Sequence, residues 1–111
     1  MELLISFLMY VQFLQGFEPM EANVSAYTST EAQCDATPFI TASGHHLRAG
    51  DRVVANNCLP FGTIVYIDGK FYEVQDRMNA KYGCDHMDIW LENYSEAIEW
   101  GRKDLIIYVR R

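Results

Sequence analysis

A β-hairpin signal in the middle of the chain is the feature that most limits its fold. The segment TIVYIDGKFYEVQD, residues 63–76, contains two runs of β-branched and aromatic residues on either side of Asp68-Gly69. An Asp-Gly pair between such runs is typical of a two-residue hairpin turn, in which both central residues need a positive φ. The segment therefore predicts two antiparallel strands joined by a tight turn.

Four further short segments have the composition of strands, and loops rich in Gly, Pro and Asn separate them. These predicted strands are residues 23–30, 52–56, 87–91 and 104–111. One helix is predicted, with Asn93 as its N-cap, Glu96 in the capping-box position and Gly101 as its stop. Six short, evenly spaced strands favour a small closed barrel, because closure removes exposed strand edges. We therefore expect a mainly β fold, a six-stranded barrel with one short helix near the C-terminus.

The bulk composition is that of one folded domain. The chain has 111 residues, half of them hydrophobic, with a net charge of -6. It is long enough for one core and not for two. A nucleic-acid partner is not expected, because the sequence has no cluster of basic residues of the kind that binds phosphates. The pairs Arg102-Lys103 and Arg110-Arg111 are interpreted as ordinary solvated charges.

The first 22 residues differ in character from the rest. They are almost continuously apolar from Leu3 to Leu14, which matches the apolar part of a signal peptide and is too short for a comfortable membrane span. Glu2 and the absence of a basic residue before this run are atypical of a secretory signal. Residues 1–22 are either a leader or anchor, which predicts a secreted or envelope-associated protein, or an N-terminal helix that packs on the domain or on another chain through residues 3–14. Residues 23–111 form the predicted domain.

The cysteines and histidines do not predict a metal site. Cys34, Cys58 and Cys84 have no Cys-x-x-Cys or zinc-type spacing, and His45-His46 is interpreted as a solvent-facing loop pair. No metal and no cofactor are therefore expected. A secreted protein would have one disulfide and one free thiol, whereas a cytosolic protein would have three free thiols. The spacing does not select the pair.

Two aspartates, Asp76 and Asp88, fall in strand-like segments, where burial of a carboxylate is costly unless the charge is paired or used. Two carboxyl groups brought together in a cleft titrate at separated pKa values. That is the requirement for a group that acts first as a general acid and then as a general base, as in glycosidic bond cleavage. The alternatives are a salt bridge from Asp76 to Arg77 and a solvent-facing strand position for Asp88.

Six ordered motifs carry a family resemblance. AYTST, TPFITASG, LPFGT, VQDRMN, MDIW and SEAIEWGRKDL together resemble the 3D (Asp-Asp-Asp) domain of bacterial and phage cell-wall proteins. That family includes stationary-phase muralytic proteins and is related to the catalytic domain of lytic transglycosylase A. The resemblance covers about residues 24–109 and implies a double-psi β-barrel.

The resemblance also implies an activity, the lytic cleavage of the β-1,4 bond between N-acetylmuramic acid and N-acetylglucosamine with a 1,6-anhydro product. The second and third family aspartates fall on Asp76 and Asp88. Asp88 is favoured as the acid/base with Asp76 as its partner, and the opposite assignment stays open. The first family aspartate is replaced, because Asn56 or Asn57 stands at its place in VVANNCLPFGT. Asparagine cannot ionise, so a mechanism with three aspartates is in doubt and one with two is not.

The resemblance implies several supporting residues, and each has a plain structural alternative. The predicted substrate-binding residues are Tyr27, Thr28, Thr41, Ser43, Asn56 and Asn79. Core packing is the alternative for Tyr27, and turn capping is the alternative for Thr41, Ser43 and Asn79. The implied partner is a peptidoglycan glycan strand. The competing hypothesis is a non-catalytic peptidoglycan-binding or cell-wall assembly module, since a fold does not guarantee a function.

Overall fold

The computed structural model describes residues 15–29 and 39–111. Most of the apolar leader, together with Cys34, lies outside these ranges. The described residues form six strands and one helix: β1 Glu18–Tyr27, β2 Val53–Ala55, β3 Ile64–Ile67, β4 Lys70–Asp76, β5 His86–Trp90, α1 Tyr94–Trp100 and β6 Lys103–Arg110. None of the helices within these ranges is long and apolar enough to cross a membrane.

The six strands close into a barrel in the order β1-β5-β2-β4-β3-β6. Two neighbouring pairs, β1 with β5 and β2 with β4, are parallel, and the other four are antiparallel. The predicted fold, a mainly β six-stranded barrel with one short helix near the C-terminus, is confirmed. The parallel pairs join segments far apart in sequence, which is why short-range patterns predict the strands but not their neighbours.

The first strand starts at Glu18, five residues before the predicted start at Asn23. Residues 18–24 pair antiparallel with β6, from Glu18 opposite Val109 to Val24 opposite Lys103. Pro19 and two glutamates conceal this part of the strand in the sequence, because proline and charged residues are unusual in strands. Residues 18–22 therefore belong to the barrel.

The predicted turn and helix signals are confirmed. Asp68 and Gly69 have φ of 49° and 87°, so both turn residues of the β3–β4 hairpin have the positive φ that an Asp-Gly turn supplies. The Asn93 side chain accepts a hydrogen bond from the Ser95 N–H and caps α1, and Gly101, with φ of 63°, follows its last residue.

The barrel has an inner core and a second apolar cluster on its outer face. Alternate residues of a strand point to opposite faces. The inner core includes Val24 of β1, Val54 of β2 and Ile89 of β5, all fully buried. The outer cluster takes intervening positions of the same strands, Tyr27, Val53, Ala55 and Trp90, and adds Leu47 from the loop before β2. Chain segments therefore cover β1, β2 and β5 on both faces.

A disulfide joins Cys58, in the turn after β2, to Cys84, in the loop before β5. It settles the pairing that the spacing left open. Disulfides of this kind persist mainly in oxidising compartments.

Reduction of this disulfide is expected to lower the free energy of unfolding by about 3 to 4 kcal/mol, because the bond closes a loop of 26 residues in the unfolded chain. Urea unfolding of wild type with and without a reductant, beside the double variant Cys58→Ser, Cys84→Ser, measures this loss. The reductant should destabilise wild type and leave the variant unchanged. Equal stability of wild type and variant under oxidising conditions would contradict the expectation.

Candidate active site

Asp88 lies on the outer face of the barrel beside residues of β1. β1 and β5 run parallel, with Ser25 opposite Asp88 and Tyr27 opposite Trp90. Neighbours in register on adjacent strands share a face, so these four side chains lie on one side of the sheet. Met87 and Ile89, the flanking residues of Asp88, point into the inner core. The strand is thus buried at alternate positions and leaves Asp88 at the edge of the outer cluster.

A β-bulge brings Asp76 to the same face. Along β2 and β4, Val54 is opposite Val74, but the next residue, Ala55, is opposite Asp76. β4 therefore has one extra residue at this point, and such a bulge redirects the side chains that follow it. On its other side Ala55 is opposite Asp88. The two aspartates thus flank Ala55 two strands apart, a main-chain separation of about 10 Å, since neighbouring strands lie about 4.8 Å apart.

Three donors hold the Asp76 carboxylate. The Tyr27 hydroxyl donates to Oδ2 at 2.7 Å, and the Ala42 N–H and the Arg77 N–H each donate to Oδ1 at 2.9 Å. The Ala42 amide belongs to the loop of residues 41–46, so this loop orients the carboxylate through its backbone.

The expected ion pair between Asp76 and Arg77 is not formed. The Arg77 guanidinium instead donates to the backbone carbonyl of Asn56 at 2.9 Å and lies 3.8 Å from the centre of the Phe61 ring. Arg77 therefore donates to the Asp76 carboxylate through its backbone N–H, while its guanidinium contacts Asn56 and Phe61.

Asp88 has a different environment. Burial raises its pKa to about 6, and the nearby charge of Asp76 acts in the same direction. A hydrogen bond from the Ser25 hydroxyl, 3.0 Å from Oδ1, and the positive charge of Arg102 oppose this rise. Near neutral pH, Asp88 therefore exchanges readily between its protonated and ionised forms, which is the property that a general acid/base requires.

Asp88 opens into a groove of about 470 Å³ on the outer face. Its walls come from β1, from the loop between β4 and β5, and from α1 with the residues that follow it. Besides Asp88, the lining residues are Ser25, Ala26, Tyr27, Met78, Tyr82, Ala97, Ile98, Gly101 and Arg102. Asp76 does not line this groove and is linked to it through the Tyr27 hydroxyl.

Three consecutive residues, Asn56 to Cys58, fasten the groove wall of residues 78–86. The Asn57 side chain accepts from the Met78 N–H at 2.9 Å and donates to the carbonyl of Tyr82 at 3.2 Å. Cys58 adds the disulfide to Cys84. This tether fixes Met78 and Tyr82, both of which line the groove.

Asn56 has a structural role, not the predicted substrate-binding one. Its side chain is fully buried. It donates to the carbonyls of Cys84 and His86 at 3.0 and 2.9 Å and accepts from the N–H groups of Cys58 and Leu59 at 2.9 and 2.8 Å. All its hydrogen-bonding groups are thus used within the protein, and none is left for a sugar.

Three more predicted binding residues serve local turns. Thr41 is buried, and its hydroxyl accepts from the His45 N–H at 3.1 Å. The Ser43 hydroxyl donates to the Gln75 side chain at 2.5 Å, and Asn79 accepts from the Lys81 N–H at 2.9 Å. For Thr41 and Asn79 these contacts are the turn capping that the same residue types also predict. The Ser43 hydroxyl accepts from the His45 N–H within its turn at 3.4 Å, and its bond to Gln75 joins the loop to β4. None of the three side chains lines the groove.

Thr28 and Tyr27 are neighbours at the end of β1, but their side chains line different pockets. Thr28 is only 2% exposed and lines a smaller pocket beside Trp90. Tyr27 both packs in the outer cluster and lines the groove, and its substrate-binding role stays a prediction. Trp90 is buried and donates to the Ser29 hydroxyl at 2.8 Å. It is therefore not exposed for stacking on a sugar.

Sequence reasoning missed Ser25, Arg102 and the two groove-wall residues Met78 and Tyr82. Ser25 lies two residues before Tyr27 and therefore shares its strand face, which was the available signal. Its contact with Asp88 depends on a parallel pairing between residues more than 60 positions apart, which local patterns do not predict.

The adjacent histidines, His45 and His46, lie in the loop before β2. In the described part of the chain, no group of three or more potential metal ligands lies together. His45 instead contacts the Asp51 carboxylate at 2.8 Å, and this hydrogen bond is the largest cause of the lowered pKa of Asp51.

A search of solved structures finds a similar fold. The Streptomyces papain inhibitor matches with a TM-score of 0.52 and 16% sequence identity, over 85% of this chain and 96% of that chain. At this identity the likeness is one of fold alone. No protein-family profile and no curated protein sequence matches the chain.

Substituting Asn56 by Asp is expected to destabilise the protein by at least about 3 kcal/mol at neutral pH, because a buried carboxylate would face two carbonyl oxygens that need donors. The matched control is Asn79→Asp, where only the side-chain oxygen is used and a change within about 0.5 kcal/mol is expected. Urea unfolding at pH 7 measures both. Equal stability of the two variants would contradict the structural role of Asn56.

Asp88→Asn is expected to gain stability relative to wild type as pH rises. The folded pKa of about 6 lies above the ordinary value of 3.8, so folding favours the protonated carboxyl. This contribution is complete below pH 3.8 and is lost as pH rises through about 6. The difference between those pKa values corresponds to at most about 3 kcal/mol.

Unfolding of wild type and Asp88→Asn at pH values from 3.5 to 7.5 tests this sign. The stability difference between them should increase in favour of the variant between pH 4 and pH 6. A difference that stays constant over this range would show that burial does not raise the pKa of Asp88.

Proposed function

We propose that this protein is a peptidoglycan lytic transglycosylase of the 3D-domain type, with Asp88 as its acid/base. One observation carries the proposal. Asp88 lines an open groove and has a pKa of about 6, whereas the adjacent Asp76 is held by three hydrogen-bond donors. Carboxyl groups in contrasting environments are what glycosidic bond cleavage requires.

In the proposed reaction, protonated Asp88 donates its proton to the glycosidic oxygen, and the bond from that oxygen to C1 of N-acetylmuramic acid breaks. The 6-hydroxyl of the same sugar then bonds to C1, and the Asp88 carboxylate accepts its proton. The products are a 1,6-anhydro sugar and a free hydroxyl on N-acetylglucosamine. Asp88 ends protonated, as it began, and no water is consumed.

Asp76 acts through the electrostatics of the site and not by direct contact with the reacting atoms. Its negative charge raises the pKa of Asp88, so Asp88 retains its proton at a higher pH. The same charge favours the positive charge that develops at C1 as the glycosidic bond breaks. Tyr27, which bonds Asp76 and lines the groove, fixes this partner relative to the sugar.

A peptidoglycan substrate also implies where in the cell the protein acts. The proposed location is the cell envelope or outside the cell, and the Cys58–Cys84 disulfide agrees with an oxidising environment. The partner is a glycan strand that lies along the groove and contacts its aromatic and apolar walls.

The second candidate function is a non-catalytic peptidoglycan-binding or assembly module. Asn56 favours it, because a fully buried, fully bonded amide stands near the place of the first family aspartate. In that case the groove would bind glycan without cleaving it.

Digestion of purified peptidoglycan, followed by mass spectrometry of the products, separates these functions. Wild type is expected to release anhydro-muropeptides, and Asp88→Asn is expected to lose about 10² to 10⁴ of the rate, the usual contribution of a general acid/base. Asp85→Asn is the matched control, because the exposed Asp85 lies three residues away and outside the groove; it should retain wild-type activity.

Three results would contradict the proposed reaction. Products with reducing muramic ends would mean hydrolysis. Full activity of Asp88→Asn would assign the proton transfer to another residue. No products, with binding to the cell wall retained, would favour the non-catalytic module.

The pH dependence of cleavage should follow the ionisation of Asp88. Activity is expected to fall as pH rises above about 6, because the general acid loses its proton. Ser25→Ala should shift this fall to higher pH, since it removes a hydrogen bond that favours the ionised form. Asp76→Asn should shift it to lower pH, since it removes a negative charge. Shifts in the same direction for both variants would contradict the assignment.

A further inference from the structure

We infer that Arg102 forms an anion subsite in the groove, which binds a carboxylate of the glycan ligand beside the sugar that meets Asp88. The assignment of the ligand as a glycan rests on the proposed function. The preference for a negative charge rests on the groove alone and is testable without any cleavage.

The position of Arg102 is set by the end of α1. Gly101, with φ of 63°, follows the helix and turns the chain into β6. Both Gly101 and Arg102 line the groove that contains Asp88. Arg102 is the one cationic residue in this lining, and it lies near enough to Asp88 for its charge to act on that carboxyl.

The Arg102 side chain is exposed and makes no ion pair or hydrogen bond with other residues in the ranges 15–29 and 39–111. Its neighbour Lys103 differs, because it lies 4.0 Å from the Asp68 carboxylate and 3.9 Å from the centre of the Trp100 ring. Two adjacent cations therefore differ: Lys103 is used within the fold, and Arg102 lines the groove with no partner for its side-chain donors among the described residues. This exposure agrees with the interpretation of Arg102 as a solvated charge, and the proposed subsite rests on its position in the groove lining.

The chemistry of the groove limits what Arg102 binds. A guanidinium presents donors in a planar fork that matches a carboxylate. The other lining residues include two aromatic and two apolar side chains, those of Tyr27, Tyr82, Met78 and Ile98. This combination fits a sugar that has one ring face for the walls and one acidic substituent for the arginine. A neutral sugar would leave the guanidinium without a partner.

In a peptidoglycan strand the acidic group belongs to muramic acid. Its carboxylate is free when the strand has no peptide, and when a peptide is attached the carboxylates lie further out on the peptide. Both sources offer the same chemistry to Arg102. A chain of net charge -6 repels polyanions in general, so a local cation is needed to place this group.

Binding of small sugars, followed by NMR amide shifts of the labelled full chain, tests the subsite. The probes are N-acetylmuramic acid, its neutral methyl ester, a muramyl dipeptide with a free carboxylate, and N-acetylglucosamine. The variants are Arg102→Gln, Arg102→Lys and the control Arg111→Gln, which makes the same charge change at a residue that does not line the groove.

Wild type should bind N-acetylmuramic acid roughly threefold to tenfold more tightly than the ester, as expected for one exposed charge-assisted contact. Arg102→Gln should lose this preference, Arg102→Lys should keep part of it, and Arg111→Gln should keep all of it. The relative affinities of the free sugar and the dipeptide distinguish the two sources of the carboxylate.

Equal binding of acid and ester by wild type would overturn the subsite, as would an unchanged preference in Arg102→Gln or the absence of any shift at groove residues. A charge preference without cleavage of peptidoglycan would contradict the proposed enzyme and leave the subsite standing. Cleavage of peptidoglycan without a charge preference would contradict the subsite and leave the proposed enzyme standing.

Discussion

The pairing of the three-residue strand β2 on both of its sides is the constraint on which the site depends. Ala55 lies opposite Asp88 on one side and opposite Asp76 on the other, and the bulge beside Val54 sets the second pairing. A shift of one residue in either register would turn an aspartate to the other face. Because β2 is buried on both faces, such a shift would also expose apolar side chains, so the fold itself protects the geometry of the pair.

The barrel places two carboxyl groups of the same type, those of Asp76 and Asp88, in different environments. Asp76 receives three donors, one of them a backbone N–H from the loop of residues 41–46, whereas Asp88 receives one hydroxyl and is largely removed from water. The groove wall of residues 78–86 is fastened by the Asn56–Cys58 tether, and Arg102 also lines the groove. The proposed activity and the proposed preference for an acidic sugar rest on three groups: a carboxylate held by donors, a titrating carboxyl, and a guanidinium with no partner among the described residues.

The sequence predicts the elements well and their arrangement only in part. Strands β2 to β6, the Asp-Gly turn and the Asn93 cap follow from local patterns. The first strand is predicted five residues too short, because Pro19 and two nearby glutamates are atypical of a strand. The proximity of Asp76 and Asp88 depends on non-local pairing and a bulge, which spacing does not encode. Asn56, Thr41 and Asn79 show a further limit, since the polar residues that cap turns are the same types that bind sugars.

The most direct test of this account is an NMR titration of the Asp88 carboxyl carbon in the intact protein, with Asp76→Asn measured beside wild type. The account predicts a pKa of about 6 for Asp88 and a lower value when the charge of Asp76 is removed. A wild-type value near the ordinary 3.8, unaffected by Asp76→Asn, would contradict it, because Asp88 would then be ionised at neutral pH and would have no proton to donate.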